Sequence, residues 1–196
     1  MIVLASASPR RKDILTELGV PFSVMCANTD ESSTQTDPRS FTEELAAKKG
    51  LAVYQKILKM RGAKEANSAI IISADTVVCC DGAILGKPRD NDDAYRMIKL
   101  ISGREHTVVS GVAITINGQT RTASDVTTVF VDGIPEQKIK EYVSTGESLD
   151  KAGAYAIQGR FSVWIKSISG CYFNVVGLPI NCLNKLYFDC TGSYLV

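Results

Sequence analysis

The chain has 196 residues and a formal net charge of +1, which lacks the strong basic excess typical of nucleic-acid-binding proteins. Hydrophobic residues make up 45% of the chain and charged residues 22%, the balance of an ordinary globular protein. No apolar segment has the length of a membrane span, and the short apolar start lacks the basic flank of a signal peptide. We therefore expect one domain over residues 1–196 that binds neither nucleic acid nor membrane.

The six cysteines include no C-x-x-C pair and no Cys/His cluster with zinc spacing. We expect free, reduced thiols and a cytoplasmic location, because disulfides are rare in reducing compartments. His106 is the single histidine, so a metal site built from several histidines is excluded. It lies between a predicted helix and a predicted strand, where a structural role is the more common one.

The first predicted elements are a strand over Met1–Ala5 and a helix that begins with Ser8 as N-cap and Pro9 as the first helical residue. Three cations, Arg10–Lys12, fall in the first turn, where the positive end of the helix dipole disfavours them. A bound anion would relieve this repulsion, and the N–H groups at a helix start bind phosphate. The segment is a candidate phosphate site, with a solvated basic turn as the alternative.

A second strand is predicted over Val20–Met25, followed by a polar, turn-rich loop from Ala27 to Ser40. Long loops in compact domains are often functional. Glu31 lies within this loop, either as a solvated acid or as a functional one.

The residues Ser40–Glu43 fit a capping box, which predicts a long helix that ends near Arg61. Its apolar residues share one face at helical spacing: Leu45, Ala46, Ala52, Val53, Ile57 and Met60. Lys49 and Lys56 fall on the same face. A lysine there either extends its ammonium to solvent or projects into a cleft. We expect the first for Lys56, and both readings stay open for Lys49.

A continuous apolar run over Ala69–Ser73 predicts a central strand that ends in Ala74-Asp75-Thr76. A buried carboxylate needs partners, because unpaired burial is costly, so Asp75 is the first candidate for a functional acid. A capped turn or a structural ion pair is the alternative. A hairpin with a turn at Asp81-Gly82 follows, and then Lys87 in a Gly-Lys-Pro turn, where a lysine is usually only solvated.

The remaining chain alternates between predicted helices and strands around a segment rich in glycine and alanine, Asp150–Gly159. Helices are predicted from Asp90 or Asn91 to Gly103, over Pro135–Val143 and from Pro179 onward, and strands over Thr107–Ile116, Asp125–Val131, Phe161–Ile168 and Tyr172–Val176. This mixture predicts an α/β fold with a mixed sheet.

The candidate residues share one chemical theme. Cations at Arg11, Lys49 and Lys87 can neutralise phosphate oxygens, while acids at Glu31 and Asp75 can hold a divalent ion or orient water. This combination is typical of phosphoryl transfer. The chain contains neither a P-loop motif nor a G-x-G-x-x-G fingerprint.

Eight blocks of the sequence resemble, in the same order, the Maf nucleoside triphosphate pyrophosphatases. They are Leu4-Ala5-Ser6-Ala7-Ser8-Pro9-Arg10-Arg11, Asp30-Glu31-Ser32, Leu45-Ala46 with Lys49, Ala74-Asp75-Thr76-Val77-Val78, Gly86-Lys87-Pro88, Ser102-Gly103 with His106 and Val108, Asp150-Lys151-Ala152-Gly153-Ala154-Tyr155 with Ile157-Gln158-Gly159, and Asn174-Val175-Val176-Gly177-Leu178-Pro179. One such block would be weak evidence, whereas the ordered set is specific and spans nearly the whole chain.

The resemblance implies a cytoplasmic, often homodimeric enzyme that hydrolyses a nucleoside triphosphate to the monophosphate and pyrophosphate with Mg²⁺ or Mn²⁺. It implies an elongated mixed sheet flanked by helices, with the substrate in a central cleft between two lobes, as in the inosine triphosphate pyrophosphatases. The combination of Arg10, Thr76 and Gln158 looks like the branch specific for dTTP and UTP. The family has also been linked to septum formation, so a nucleotide-binding regulator of cell division that acts through a protein partner is the alternative.

The same resemblance implies a role for each matched residue. Asp75 would be the proton acceptor, and Asp75 and Glu31 would hold the metal. Ser8, Arg11, Lys49 and Lys87 would bind the triphosphate, and Arg10, Thr76 and Gln158 would contact the base or sugar. The chain departs from the family where Gly50 replaces a usual alanine, a change expected to weaken the helix by about 1 kcal/mol. Ala156 replaces a usual glycine near Gln158.

Overall fold

One mixed sheet organises the computed structural model, which describes residues 1–196. Its strands are β1 (Ile2–Leu4), β2 (Phe22–Val24), β3 (Ile70–Cys80), β4 (Ala83–Leu85), β5 (Glu105–Ile116), β6 (Gln119–Val131) and β7 (Ile165–Ser169). The strand order is β2-β1-β3-β5-β6-β7, and β4 pairs with β3. Strand β1 runs parallel to β2 and β3, whereas the β3–β4 and β6–β7 pairs are antiparallel. The predicted α/β fold with a mixed sheet is confirmed.

Seven α-helices accompany the sheet: α1 (Pro9–Glu17), α2 (Pro38–Arg61), α3 (Ala63–Ser68), α4 (Asn91–Ile101), α5 (Glu136–Ser144), α6 (Tyr172–Val176) and α7 (Ile180–Thr191). Two short 3₁₀ helices cover Ala152–Ala154 and Arg160–Trp164. None of the helices combines the length and the apolar character needed to cross a lipid bilayer.

The chain divides into two compact units, each with its own core. The first unit comprises Met1–Asp75, Ser110–Asp125 and Gly177–Val196, and the second comprises Thr76–Val109 and Val126–Val176. In the first unit, Val3 of β1, Ile57 of α2 and Ile71 of β3 belong to one buried cluster. In the second, the buried cluster includes Ile98 of α4, Val129 of β6, Tyr142 of α5 and the aromatic residues Tyr155 and Phe161. The single domain over 1–196 stays a prediction.

Helix α2 begins earlier than the sequence predicts. Asp37 is the N-cap, and its carboxylate accepts a hydrogen bond from the Ser40 N–H at 2.9 Å, with Pro38 in the first turn. The predicted capping box over Ser40–Glu43 is therefore wrong, because an acid directly before Pro38 supplies the cap first. The predicted end at Arg61 is confirmed, but Met60 is 63% exposed and does not belong to the buried face.

Near the C-terminus, the predicted strand Tyr172–Val176 is wrong, and the predicted strand Phe161–Ile168 is confirmed only in its second half. Arg160–Trp164 forms a 3₁₀ helix, and only Ile165–Ser169 joins the sheet. Tyr172–Val176 forms helix α6, in which the buried Asn174 amide donates hydrogen bonds to the Val108 carbonyl and the Thr127 hydroxyl, each at 2.9 Å. These tertiary hydrogen bonds outweigh the β propensity of the valines and aromatics, which is a weak preference.

Candidate active site

Asp75 lies inside the long strand β3 rather than at the end of a strand. β3 continues from Ile70 to Cys80, with its first residues paired to β1 and its last residues paired to β4. The predicted strand end at Asp75 is therefore wrong. Asp75 occupies the stretch of β3 between these two pairings, and its side chain is 13% exposed.

The ammonium of Lys49 contacts two carboxylates. Its Nζ donates a hydrogen bond to Oδ1 of Asp75 at 2.6 Å and lies 3.0 Å from Oε1 of Glu31. Glu31 comes from the loop before α2, and its side chain is 58% exposed. Lys49 therefore projects from the apolar face of α2 toward β3 and joins the two predicted acids in one cluster. Lys56, by contrast, donates to the Cys26 carbonyl at the surface.

Gly50, next to Lys49, allows α2 to pack closely against the sheet. A Cβ at this position would lie 2.6 Å from Oγ1 of Thr115 and 2.9 Å from Oγ of Ser73. Both hydroxyls are engaged, since Ser73 donates to the Ala46 carbonyl at 2.7 Å and Thr115 shares a 2.8 Å hydrogen bond with Thr120. The glycine that departs from the family pattern thus gives the space in which these hydroxyls sit.

Arg11 ties the start of α1 to the strand that carries Asp75. Its Nη1 donates to the Ala74 carbonyl at 2.8 Å and to Oγ of Ser6 at 3.2 Å, and its Nε donates to the Gly177 carbonyl at 2.7 Å. Burial lowers the pKa of the Arg11 guanidinium, and the negative charge of Asp75 opposes this shift. Arg11 thus adds a positive charge to the electrostatic surroundings of Asp75, in addition to its structural contacts.

Ser8 and Pro9 begin α1 as predicted, with Ser8 at the N-cap and Pro9 at the first helical position. The Ser8 side chain makes no capping hydrogen bond, and its backbone N–H donates to Oγ of Ser6 at 3.2 Å. The first turn of α1 contains no acid, so Arg10, Arg11 and Lys12 remain its only charged residues.

The other candidate residues belong to the second compact unit. Thr76 follows Asp75 on β3. Lys87 is exposed in the turn between β4 and α4, and Gln158 is exposed in the segment between the two 3₁₀ helices. Within this unit, the Gly153 N–H donates to the Gly86 carbonyl at 3.0 Å, which links the two segments that carry Lys87 and Gln158.

A family model described as Maf-like protein matches residues 1–189 of the chain. The chain belongs to the Maf family. A protein of Pelotomaculum thermopropionicum named dTTP/UTP pyrophosphatase is 43% identical over 182 residues, which are 91% of each chain. Proteins with the same name from Thermococcus onnurineus and Clostridium beijerinckii are 42% and 44% identical, over 95% of this chain and 96% of theirs.

The solved structure of the Staphylococcus aureus Ham1 protein aligns with 66% of this chain and 71% of its own, at 14% identity and a TM-score of 0.44. The fold assignment rests on the sheet order and strand pairings described above.

Some contacts of this Maf protein had no signal in the sequence. Arg11 donates hydrogen bonds mainly to backbone carbonyls. Because every residue has a backbone carbonyl, the residue types at these positions give no indication of the contact. The hydrogen bond between His106 and Tyr155 joins two residues that are 49 positions apart. Both lie in blocks that resemble the Maf family, but no feature of the sequence relates one residue to the other.

Proposed function

We propose that this Maf protein hydrolyses dTTP, UTP and modified pyrimidine triphosphates to the monophosphate and pyrophosphate. The observation that carries the proposal is the cluster of Asp75, Glu31 and Lys49, placed beside Arg11. The curated relatives named dTTP/UTP pyrophosphatase, at 42–44% identity over nearly the whole chain, support the same reaction.

Asp75 is proposed as the proton acceptor for the water that attacks the α-phosphorus. The Lys49 ammonium donates a hydrogen bond to Oδ1 of this carboxylate at 2.6 Å and so fixes its orientation. The continuous strand β3 holds the carboxylate in one place, so little reorganisation is needed before the reaction. A positioned general base of this kind contributes roughly 10²–10⁴-fold to the rate.

Glu31 and Asp75 are proposed as the protein ligands of Mg²⁺ or Mn²⁺. Both carboxylates already converge on one cation, the Lys49 ammonium, and Mg²⁺ is commonly held by one or two carboxylates together with substrate phosphates. No group of three or more His, Cys, Asp and Glu side chains is placed to hold a metal without such help. When bound, the divalent ion would neutralise phosphate charge and acidify a bound water.

The remaining charges are proposed to hold the triphosphate. Lys49 and Lys87 would contact phosphate oxygens directly, and the start of α1 with Ser8 would offer its N–H groups to a phosphate. Arg11 would contribute its charge while its hydrogen bonds to Ala74 and Gly177 keep α1 in position. These groups act by position and electrostatics, which dominate phosphoryl-transfer catalysis.

Gln158, Arg10 and Thr76 are proposed to select the base. Uracil and thymine present an acceptor, a donor and an acceptor along one edge, and a glutamine amide can pair with the N3–H and O4 together. Because an amide can rotate by half a turn, Gln158 alone would not exclude cytosine. Arg10 is therefore proposed to complete the discrimination, and leaving its donors unpaired would penalise the wrong base.

Pyrophosphate release from a panel of triphosphates with Mg²⁺ or Mn²⁺ tests the proposal. We expect turnover of dTTP and UTP, and a loss of at least about 100-fold in Asp75→Asn. Asp13→Asn is the matched control, because Asp13 is an exposed acid on α1. Turnover of dTTP and UTP no higher than that of Asp75→Asn would overturn the proposal. The homodimer, the cytoplasmic location and the cleft between two lobes stay predictions.

A further inference from the structure

The only histidine of the chain is buried against a tyrosine of the Gly/Ala-rich segment. Nε2 of His106 and the hydroxyl of Tyr155 lie 2.6 Å apart, and their rings meet edge to face with centroids 5.3 Å apart. His106 is 3% exposed and Tyr155 is 5% exposed. The pair therefore joins β5 to the Gly/Ala-rich segment, Asp150–Gly159, and both residues belong to the second compact unit.

This hydrogen bond is the polar contact that compensates the buried imidazole. Burial lowers the pKa of His106 to about 4, so the ring is neutral at neutral pH. Its Nδ1 is buried without a hydrogen-bond partner. Loss of the Tyr155 hydroxyl would leave both ring nitrogens unpaired, and unpaired buried polar groups are costly. In the folded protein, Nδ1 of His106 has no hydrogen-bond partner, and the Tyr155 hydroxyl is the partner of Nε2.

Further contacts hold the same segment on either side of Tyr155. Before it, Gly153 has a φ of +65° and packs so closely on Val78 that a Cβ would lie 2.6 Å from the valine Cγ2. The Gly153 N–H also donates to the Gly86 carbonyl. After it, the Tyr155 ring packs on Phe161 with centroids 4.7 Å apart. Tyr155 is the point between these contacts at which a side chain anchors the segment to β5.

The anchored segment is connected to two candidate site residues, Gln158 and Lys87. Gln158 is three residues after Tyr155 along the segment. Lys87 directly follows Gly86, whose carbonyl accepts the hydrogen bond from Gly153. A shift of the segment would therefore move Gln158 and loosen the turn that carries Lys87.

We propose that His106 and Tyr155 are positioning residues that set the base selectivity by holding the segment that carries Gln158. The proposal rests on the proposed function insofar as Gln158, together with Arg10, distinguishes uracil from cytosine. His106 and Tyr155 are expected to affect the choice of base more than the hydrolysis step. The proposed catalytic residues Asp75 and Lys49 lie on β3 and α2, outside the segment that Tyr155 anchors. Tyr155→Phe should consequently raise KM more than it lowers kcat.

The test compares kcat and KM for UTP and CTP in Tyr155→Phe, Gln158→Ala and the double variant. We expect Tyr155→Phe to lower the UTP-over-CTP ratio of kcat/KM about tenfold, the size of one buried hydrogen bond. We expect the double variant to lose little more than Gln158→Ala alone, because both changes act on one interaction. A ratio within about twofold of the wild type, or fully additive losses, would overturn the proposal.

A matched control separates positioning from stability. Ile139→Val removes one methylene from the buried core of the same unit, and it should destabilise the protein without changing the ratio. His106→Gln keeps an amide close to the Nε2 position and should retain most of the selectivity, whereas His106→Leu should lose it. If Tyr155→Phe does not fold, the UTP-over-CTP ratios of these two His106 variants test the positioning role. Equal ratios in His106→Gln and His106→Leu would contradict the proposal.

Amide hydrogen exchange gives a measurement that does not depend on activity. We expect amide exchange over the Gly/Ala-rich segment, residues 150–159, to accelerate about tenfold in Tyr155→Phe and to stay unchanged in Ile139→Val. If the wild type hydrolyses neither UTP nor dTTP, the proposed function fails while accelerated exchange still supports the positioning role. Unchanged exchange in Tyr155→Phe would overturn the positioning role whatever the activity.

Discussion

The ammonium of Lys49 lies 2.6 Å from the carboxylate of Asp75, 26 residues later in the chain. The same ammonium contacts Glu31. One positive charge therefore occupies the position beside both carboxylates that a divalent cation would need. A divalent cation and the Lys49 ammonium should therefore compete for these two carboxylates. Electrostatic attraction is strongest at the shortest distance, and only one of the two cations can lie directly between the acids.

Lys49→Met should therefore have two opposite effects. Turnover should fall by about 10²-fold or more, because a charge near the transferring phosphate is lost. Binding of Mn²⁺ in the absence of nucleotide should become about tenfold tighter, because no ammonium competes for Glu31 and Asp75. Electron paramagnetic resonance of Mn²⁺ measures the affinity independently of activity.

Lys48→Met is the matched control for this prediction. Lys48 is the preceding residue on α2, but it pairs with Glu44 and with the Ser32 carbonyl. It should change neither the Mn²⁺ affinity nor the turnover by more than about twofold, as exposed ion pairs contribute little. Unchanged or weaker Mn²⁺ binding in Lys49→Met would contradict the competition.

Arg11 and Arg10 should differ in what their loss changes. Arg11→Ala removes the hydrogen bonds to Ala74, Ser6 and Gly177 and should lower turnover of every triphosphate, together with the free energy of unfolding by about 2–3 kcal/mol. Arg10→Ala should instead change the ratio of turnover between UTP, dTTP and CTP. Steady-state kinetics on the panel and urea unfolding test both. Equal losses on all substrates in both variants would refute the division of roles.

Gly50→Ala should destabilise the protein even though alanine is the better helix former. The propensity gain is about 1 kcal/mol, whereas overpacking against Thr115 and Ser73 costs about 1–3 kcal/mol. We expect a net loss of about 1 kcal/mol in the free energy of unfolding, measured in urea. The control is Gly133→Ala, whose Cβ would meet no atom within 4 Å, and it should change the free energy of unfolding by less than about 0.5 kcal/mol. A more stable Gly50→Ala protein would show that the two hydroxyls move aside at little cost.

Features set by neighbouring residues could be predicted from the sequence. The start of α1 at Ser8-Pro9 and the turn at Asp81-Gly82 follow from the conformational preferences of those residues. The helix over Tyr172–Val176 could not, because the contacts of Asn174 with Val108 and Thr127 decide it. Those partners are distant in the sequence and carry no local signal.

The candidate site divides in the same way. The sequence marks Asp75 as an acid in a buried strand and Lys49 as a cation on an apolar helix face, and it groups both with Glu31 by their chemistry, but it does not show that they touch. Their pairing depends on how α2 packs against β3, where the Ser73 hydroxyl of β3 donates a hydrogen bond to the Ala46 carbonyl of α2. Packing between elements, rather than residue type, therefore set the part of the site that sequence reasoning missed.

His106 should make the stability of the protein depend on pH in a definite direction. Its pKa is lowered to about 4 by burial, below the value of about 6.5 expected when the chain is unfolded. Between these values the unfolded chain binds more protons than the folded one, so stability is present above pH 6.5 and is lost as the pH falls toward 4. The full effect amounts to about 3 kcal/mol, at 1.36 kcal/mol for each pH unit.

The free energy of urea unfolding between pH 6.5 and 5 measures this effect before most carboxylates titrate. The wild type should lose stability over that range, and His106→Gln should lose about 1–2 kcal/mol less, because its side chain takes up no proton. Both proteins share every other titrating group, so the difference between their slopes reports His106 alone. Parallel pH profiles would mean that the folded protein accepts a proton on His106 as readily as the unfolded chain does.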